Sequence, residues 1–91
     1  MNIEVVHNTA QSRFQSEVDG LTCVADYRLR GQVMQMTHTG VPTQLEGRGI
    51  ASKLVQAAVE HAKANDLRID PQCSYVVTWM QRHPEAASLL A

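Results

Sequence analysis

The sequence predicts an α+β fold: an antiparallel meander of about four strands, then one long helix, a fifth parallel strand and a helical C-terminus. Two observations support this prediction. Short runs of alternating apolar and polar residues, separated by turn residues, fill the first half of the chain. Residues 50–65 instead repeat their apolar positions about every fourth residue, which is the period of a helix packed on a sheet. A chain of 91 residues has room for one core, so we expect a single domain spanning residues 1–91.

The meander is predicted from four short segments, at residues 2–7, 13–18, 21–30 and 32–39. Asp19-Gly20 lies between two alternating runs and predicts a two-residue hairpin, because both central residues of that turn need positive φ. Gly31 marks the next turn. Consecutive strands joined by tight turns form an antiparallel meander.

The fourth segment places Met34, Met36 and His38 on one face of its strand, since side chains alternate along a strand. We interpret Met34 and Met36 as core residues, together with Trp79 farther along the chain. Pro42 follows the strand and lacks a backbone donor, so any strand pairing is interrupted there.

The long helix covers one face of the sheet and is expected to end at Asn65-Asp66, since Asn tolerates the left-handed conformation that commonly ends a helix. The strand that follows it ends at Pro71 and can lie parallel to the fourth strand through a right-handed crossover. A second helix is broken by Pro84, and a last helical turn follows. These three elements are predicted at residues 67–70, 74–82 and 85–90.

Charge and hydropathy argue against nucleic-acid-binding, secreted and membrane proteins. The net charge is −1, so the basic surface that binds nucleic acid without sequence preference is missing. The N-terminus lacks a signal-peptide pattern, and no apolar run has the length of a membrane span. We therefore expect a cytoplasmic protein with neither nucleic acid nor membrane as a partner.

The cysteines and histidines do not form a metal-binding pattern. Cys23 and Cys73 belong to different predicted elements, and in a cytoplasmic chain they are expected to be free thiols. The four histidines show no ligand spacing with either cysteine or with a carboxylate cluster. A structural zinc site is therefore disfavoured.

The stretch at residues 45–55, LEGRGIASKLV, opens a glycine turn directly into the long helix. Gly47 and Gly49 are one residue apart, and such a turn directs several backbone N–H groups to one point at the positive end of the helix dipole. This arrangement suits a phosphate-sized anion. The alternative is that the two glycines only make a tight strand-to-helix turn.

Together, the order of elements and the glycine turn resemble the GNAT superfamily of acyl-coenzyme A N-acetyltransferases, and most closely its small single-domain, YjdJ-type branch. The superfamily signature is Gln or Arg, two residues, Gly, one residue, then Gly or Ala. Gly49 and Ala51 fill the last two signature positions, but Glu46 stands where Gln or Arg is expected. Residues 38–42, 71–76 and 82–85 also resemble that branch, so the resemblance covers essentially the whole chain.

The resemblance implies a site for acetyl-coenzyme A in a cleft where the fourth and fifth strands splay apart. Val41 would offer backbone bonds to the pantetheine arm, and Glu46 is expected to point away from the phosphates. Arg48 either adds a cation beside the phosphates or is a solvated turn residue. The backbone amides implied to hold the pyrophosphate belong to Gly47, Arg48, Gly49, Ile50, Ala51 and Ser52. No metal is implied.

Three side chains are candidates for proton transfer. By the resemblance Cys73 lies near the thiol end of the coenzyme, as a proton donor or a transient acyl carrier; otherwise it is a small buried hydrophobe. His38 is the second candidate, because an imidazole exchanges protons near neutral pH and can deprotonate an incoming amine. Alternatively, it holds the turn by a hydrogen bond. Tyr75 is a second proton donor or a packing residue.

The leading hypothesis is an acetyl-coenzyme A-dependent N-acetyltransferase with an acceptor amine that the sequence does not name. Relatives with this chemistry usually have two more strands after the fifth, so we expect an open acceptor site suited to an exposed amine on a protein or peptide, or to a loosely held small amine. The alternative is a module that binds coenzyme A or an acyl-coenzyme A with little transfer. A third hypothesis is a structural domain without a ligand.

Overall fold

The computed structural model describes residues 3–91, and its strands form one sheet in the order β1-β2-β3-β4-β5. Neighbouring strands from β1 to β4 are antiparallel, and β5 is parallel to β4. The strands are β1 (Val6–Asn8), β2 (Arg13–Val18), β3 (Leu21–Arg30), β4 (Val33–Gly40) and β5 (Arg68–Pro71). The α+β class, the antiparallel meander and the parallel fifth strand are confirmed.

Two α-helices follow the meander, α1 (Ile50–Ala64) and α2 (Ser74–Arg82), and both were predicted from the sequence. Shorter 3-10 segments lie at Thr43–Leu45 and Pro84–Leu89. The end of α1 differs in one detail from the prediction. Asn65 has φ −115°, and the left-handed residue is Asp66, at φ 56°.

The first strand is shorter than predicted. Of the predicted residues 2–7, Asn2 lies outside the described residues, and pairing with β2 begins only at Val6. Ile3 and Val5 are partly buried and pack against the core instead of extending the ladder. Burial of these two side chains therefore replaces strand pairing at this end of β1.

The core lies between α1, α2 and one face of the sheet. Met34 and Met36 are fully buried and Trp79 is nearly so, which confirms their interpretation as core residues. Cys23 and Cys73 are both free thiols, as predicted. On the opposite face of the sheet the side chains are largely polar, and Arg13 and Asp26 form an ion pair of 3.0 Å there.

One irregularity changes which side chains face the core. Asp26 pairs with His38 but Tyr27 pairs with Met36, so Thr37 is an extra residue, a β-bulge in β4. The expectation that His38 shares a face with Met34 and Met36 is therefore wrong. The extra residue reverses which side chains of β4 face the core. His38 is therefore exposed on the face of the sheet that no helix covers (the open face), and Thr39 lies on the core side.

Candidate functional site

The functional site begins where β4 and β5 separate. Pairing between them covers only residues 33–36 of β4. The carbonyl oxygen of Met36 accepts hydrogen bonds from the backbone N–H groups of Gln72 and Cys73, both at 3.0 Å. Beyond this point the chain of β5 turns into α2, while β4 continues to Gly40 with β3 as its strand partner. The two strands thus form a fork.

A cleft of about 460 Å³ lies between this fork and the start of α1. Its walls combine the half of β4 that β5 does not pair with, the glycine turn and the first turns of α1 and α2. The lining residues are Thr39, Val41, Glu46, Gly47, Gly49, Ile50, Ala51 and Tyr75.

Two glycines determine the backbone path at the base of the cleft. Gly47 has φ 82° and Gly49 has φ 76°, which side chains of L-residues rarely tolerate. Gly49 is the N-cap of α1. A Cβ atom at either position would meet no other atom within 4 Å, so both glycines border open space in the cleft.

The glycine turn leaves a run of backbone donors without partners. Within residues 3–91, no hydrogen bond is made by the amide N–H groups of residues 47–52. The first helical bond of α1 is made by the N–H of Lys53 to the carbonyl of Gly49, at 3.2 Å. Free amides at a helix N-terminus favour an anion, because the helix dipole adds to their own partial charge.

Most of the residues predicted to bind coenzyme A lie on the cleft, but two side chains point elsewhere. Val41, Gly47, Gly49, Ile50 and Ala51 all line it. The guanidinium of Arg48 instead donates to Asp19 of the β2–β3 hairpin, at 3.0 Å.

The Ser52 hydroxyl accepts a hydrogen bond from Trp79 Nε1 at 3.1 Å, so this side chain joins α1 to α2. Glu46 is exposed and belongs to the cleft wall, and its expected direction, away from the phosphates, stays a prediction. The cleft therefore carries one carboxylate beside its free amides.

The Cys73 thiol lies at the fork, where it is the N-cap of α2. Its Sγ is 3.6 Å from Thr39 Oγ1. Burial alone would raise the pKa of this thiol, but the hydrogen bonds of the Thr39 hydroxyl and of the backbone at Val76 and Tyr75 favour the thiolate and bring the pKa below its ordinary value. The pKa of Cys23 is raised instead, by burial and by the charge of Glu17. The two free thiols thus differ in chemistry.

The other two candidate side chains lie on either side of the fork. Tyr75 is 39% exposed and lines the cleft. His38 is exposed on the open face of the sheet, where its Nε2 lies 3.0 Å from the point a Cβ of Gly40 would occupy. Thr39, which the sequence reasoning missed, joins the cleft to Cys73, and only the bulge at Thr37 turns it inward.

Two further observations concern the described part of the chain. Residues 3–91 contain no cluster of three or more His, Cys, Asp or Glu side chains arranged to hold a metal ion. None of the helices in the same range is both long and apolar enough to cross a membrane.

The forked sheet with its amide-rich helix start gives this chain the fold of an acyltransferase-type domain. A family profile described as GCN5-related N-acetyl-transferase matches residues 13–89. The chain belongs to this family, which is the GNAT superfamily that the glycine signature resembled.

Relatives and a solved structure agree with this assignment. Protein NATD1 of Bos taurus is 31% identical over 85 residues, which are 90% of this chain and 75% of that protein. NATD1 of Gallus gallus is 29% identical over 90% of this chain and 77% of that protein. The solution structure of a GCN5-like protein from Staphylococcus aureus superposes with a TM-score of 0.79 at 27% identity, covering 99% of this chain and 89% of that one.

Proposed function

We propose that this protein is an acetyl-coenzyme A-dependent N-acetyltransferase. The observation that carries the proposal is the run of six unpaired amides at residues 47–52, beside a cleft that continues into the fork. The amides fit a diphosphate, since each hydrogen bond to a charged group contributes about 1.5–3 kcal/mol. Three or four of them account for most of the ~8 kcal/mol of a micromolar complex before ordering costs.

The edge of β4 that β5 leaves free fits the pantetheine arm. Thr39 and Val41 line the cleft where β4 has lost β5 as a partner, so backbone groups on this edge are available to an extended amide-containing ligand. The coenzyme would supply the acetyl group as an activated thioester. Its sulfur end belongs near Cys73 and Tyr75, which lie where the two strands separate.

Proton transfer divides between the two sides of the fork. An acceptor that arrives as an ammonium ion must lose a proton, and His38 on the open face can accept it on its imidazole. A leaving thiolate must gain a proton, and the donors on the cleft side are the Tyr75 hydroxyl and the Cys73 thiol. Because helices cover the other face of the sheet, the acceptor amine would approach from the open face, as an exposed amine of a protein or peptide or as a small amine.

Binding and transfer are tested with a matched pair of glycine variants. Gly20 and Gly49 have the same φ of 76°, and a Cβ on either would meet open space. Asn tolerates this conformation, so Gly49→Asn and Gly20→Asn should have similar thermal stabilities. Only Gly49→Asn should weaken acetyl-coenzyme A binding, by about tenfold or more, because its side chain enters the cleft. Unchanged binding in Gly49→Asn would contradict the proposed site.

The alternative function is a module that binds coenzyme A or an acyl-coenzyme A without efficient transfer. The observation in its favour is Glu46, whose carboxylate lines the cleft and weakens the field that the amides provide. Incubation with radiolabelled acetyl-coenzyme A and lysine-containing peptides separates the two functions. Label transfer above the rate without protein supports the transferase, and saturable binding without transfer supports the module.

A further inference from the structure

A second cavity of about 160 Å³ adjoins the cleft on the side away from the fork. Tyr75 lines both cavities, and Ser52 of the second follows Ala51 of the first. The two cavities therefore lie next to each other, and the second extends from the first turn of α1 along α2 to its end. The second is lined by Ser52, Tyr75, Thr78, Trp79, Arg82 and His83.

Aromatic side chains hold the wall of the second cavity in place. The rings of Trp79 and His83 are stacked, with centroids 3.7 Å apart and planes 11° from parallel. Trp79 Nε1 donates to Ser52 Oγ at 3.1 Å, and His83 Nδ1 donates to the Trp79 carbonyl at 2.7 Å. Since these bonds join α1, α2 and the residue after α2, the wall is already formed without a ligand.

Arg82 is the charged residue of this cavity. Its side chain is exposed, and the ion pairs within residues 3–91 are those of Arg13 and Arg48, neither of which involves it. No carboxylate lines the cavity, whereas the neighbouring larger cavity, of about 340 Å³, is lined by Glu60 and Glu85. Of these two cavities, only the smaller one has a cationic side chain and no carboxylate that would repel an anion.

The position of Arg82 matches the layout of coenzyme A. Ser52 carries the last of the six free amides and is bonded to Trp79, and Arg82 lies three residues beyond Trp79 on α2, a rise of about 4.5 Å. Coenzyme A carries a phosphate on the 3′ position of the ribose that is attached to its diphosphate. The cavity that Arg82 lines therefore begins at Ser52, where a diphosphate held by the amides would end and its ribose would follow.

We propose that the second cavity binds the ribose 3′-phosphate of coenzyme A and that Arg82 is its cationic ligand. This inference rests on the proposed function, because the diphosphate must lie at residues 47–52. It goes further by making Arg82 a specificity-determining residue. The protein then distinguishes coenzyme A from 3′-dephospho-coenzyme A, two ligands that are otherwise identical.

The test is isothermal titration calorimetry of four proteins with both ligands. Wild type should bind coenzyme A about 5- to 10-fold more tightly than 3′-dephospho-coenzyme A, the ratio expected for one partly exposed charged hydrogen bond. Arg82→Gln should weaken coenzyme A binding by the same factor and leave 3′-dephospho-coenzyme A unchanged. Arg82→Lys should retain part of the preference. Arg30→Gln, which alters an exposed arginine at the far end of β3, should behave as wild type.

Two results would overturn this assignment while leaving the proposed function intact: equal binding of both ligands by wild type, or an equal loss for both in Arg82→Gln. Binding of neither ligand by wild type would reject the proposed function, and the assignment of Arg82 with it. Loss of the preference in Arg82→Gln alone, with normal binding by Arg30→Gln, supports the assignment.

Discussion

The two sides of the sheet differ in how their polar groups are satisfied and how tightly their side chains pack. At the closed end, where β1, β2 and β3 lie side by side, a cluster of four aromatic rings fills the space against α1: His7, Phe14, Tyr27 and His61. His7 stacks on Phe14 with centroids 4.2 Å apart, and its Nε2 is 2.6 Å from the Tyr27 hydroxyl oxygen. His61 Nδ1 in turn lies 3.4 Å from the side-chain amide nitrogen of Asn65, so the rings of this cluster are linked to one another and to the end of α1.

At the fork the opposite holds. β4 loses β5 after Met36, and the six amides of residues 47–52 have no partner in the described chain. Unpaired backbone groups cost stability unless water or a ligand satisfies them. The comparison indicates that side chains close the space at one end of the sheet, while the fork keeps its backbone groups available for binding.

The largest effect is expected from removing the centre of the closed end. Phe14 is 3% exposed, so Phe14→Ala should lower the free energy of unfolding by about 3–5 kcal/mol, through lost burial and the cavity left behind. Urea denaturation followed by circular dichroism measures this. Leu29→Ala is the control, because Leu29 is 52% exposed, and it should change the free energy of unfolding by about 0.5 kcal/mol or less. A similar loss in both variants would contradict the role given to the closed end.

A smaller effect is expected at the fork, and on binding instead of stability. Glu46→Gln removes the carboxylate from the cleft wall and restores the residue type of the superfamily signature. Affinity for acetyl-coenzyme A should rise about 2- to 5-fold, the size of one screened charge repulsion near the surface. Calorimetry gives the affinity, with Glu4→Gln, at an exposed residue just before β1, as the charge-matched control. A weaker complex in Glu46→Gln would mean that Glu46 assists binding.

A third prediction tests the coupling between Thr39 and Cys73. Thr39→Val keeps the shape of the side chain and removes the hydroxyl 3.6 Å from the sulfur, so the pKa of Cys73 should rise. The rate of alkylation by iodoacetamide, followed against pH by mass spectrometry, should then reach half its maximum at a higher pH than in wild type. Cys23, fully buried and with a raised pKa, serves as the internal unreactive control.

The smallest effect is expected from the pH dependence of the closed end. Burial, and then the charge of His61, lower the pKa of His7 below its usual 6.5. The unfolded chain therefore binds more protons than the folded one in this range. Stability should be complete above about pH 6.5 and decrease as the pH falls toward the folded-state pKa. Chemical denaturation at about pH 7.5 and about pH 5 measures the difference, which should be smaller in His7→Phe. An equal decrease in both proteins would assign the effect to other groups.

Much of the architecture could be predicted because it depends on local patterns. The period of residues 50–65 and the Asp19-Gly20 pair led to α1 and to the β2–β3 hairpin, since helix periodicity and turn chemistry are properties of neighbouring residues. The glycine turn could likewise be located from its spacing. Its free amides follow from positive φ at Gly47 and Gly49 together with the start of a helix.

Only the tertiary structure decided which side chains face the cleft and which face solvent. The sequence by itself determined the order of elements, the glycine turn and the identity of the core methionines. The bulge at Thr37 arises from how β3 and β4 pair. Because of it, Thr39 lies on the cleft side of β4, where the sequence pattern predicted His38. Arg48 turns away from the cleft because folding brings Asp19, far away in the chain, to 3.0 Å. Contacts between distant segments depend on the register of whole strands, and that register is a property of the folded sheet.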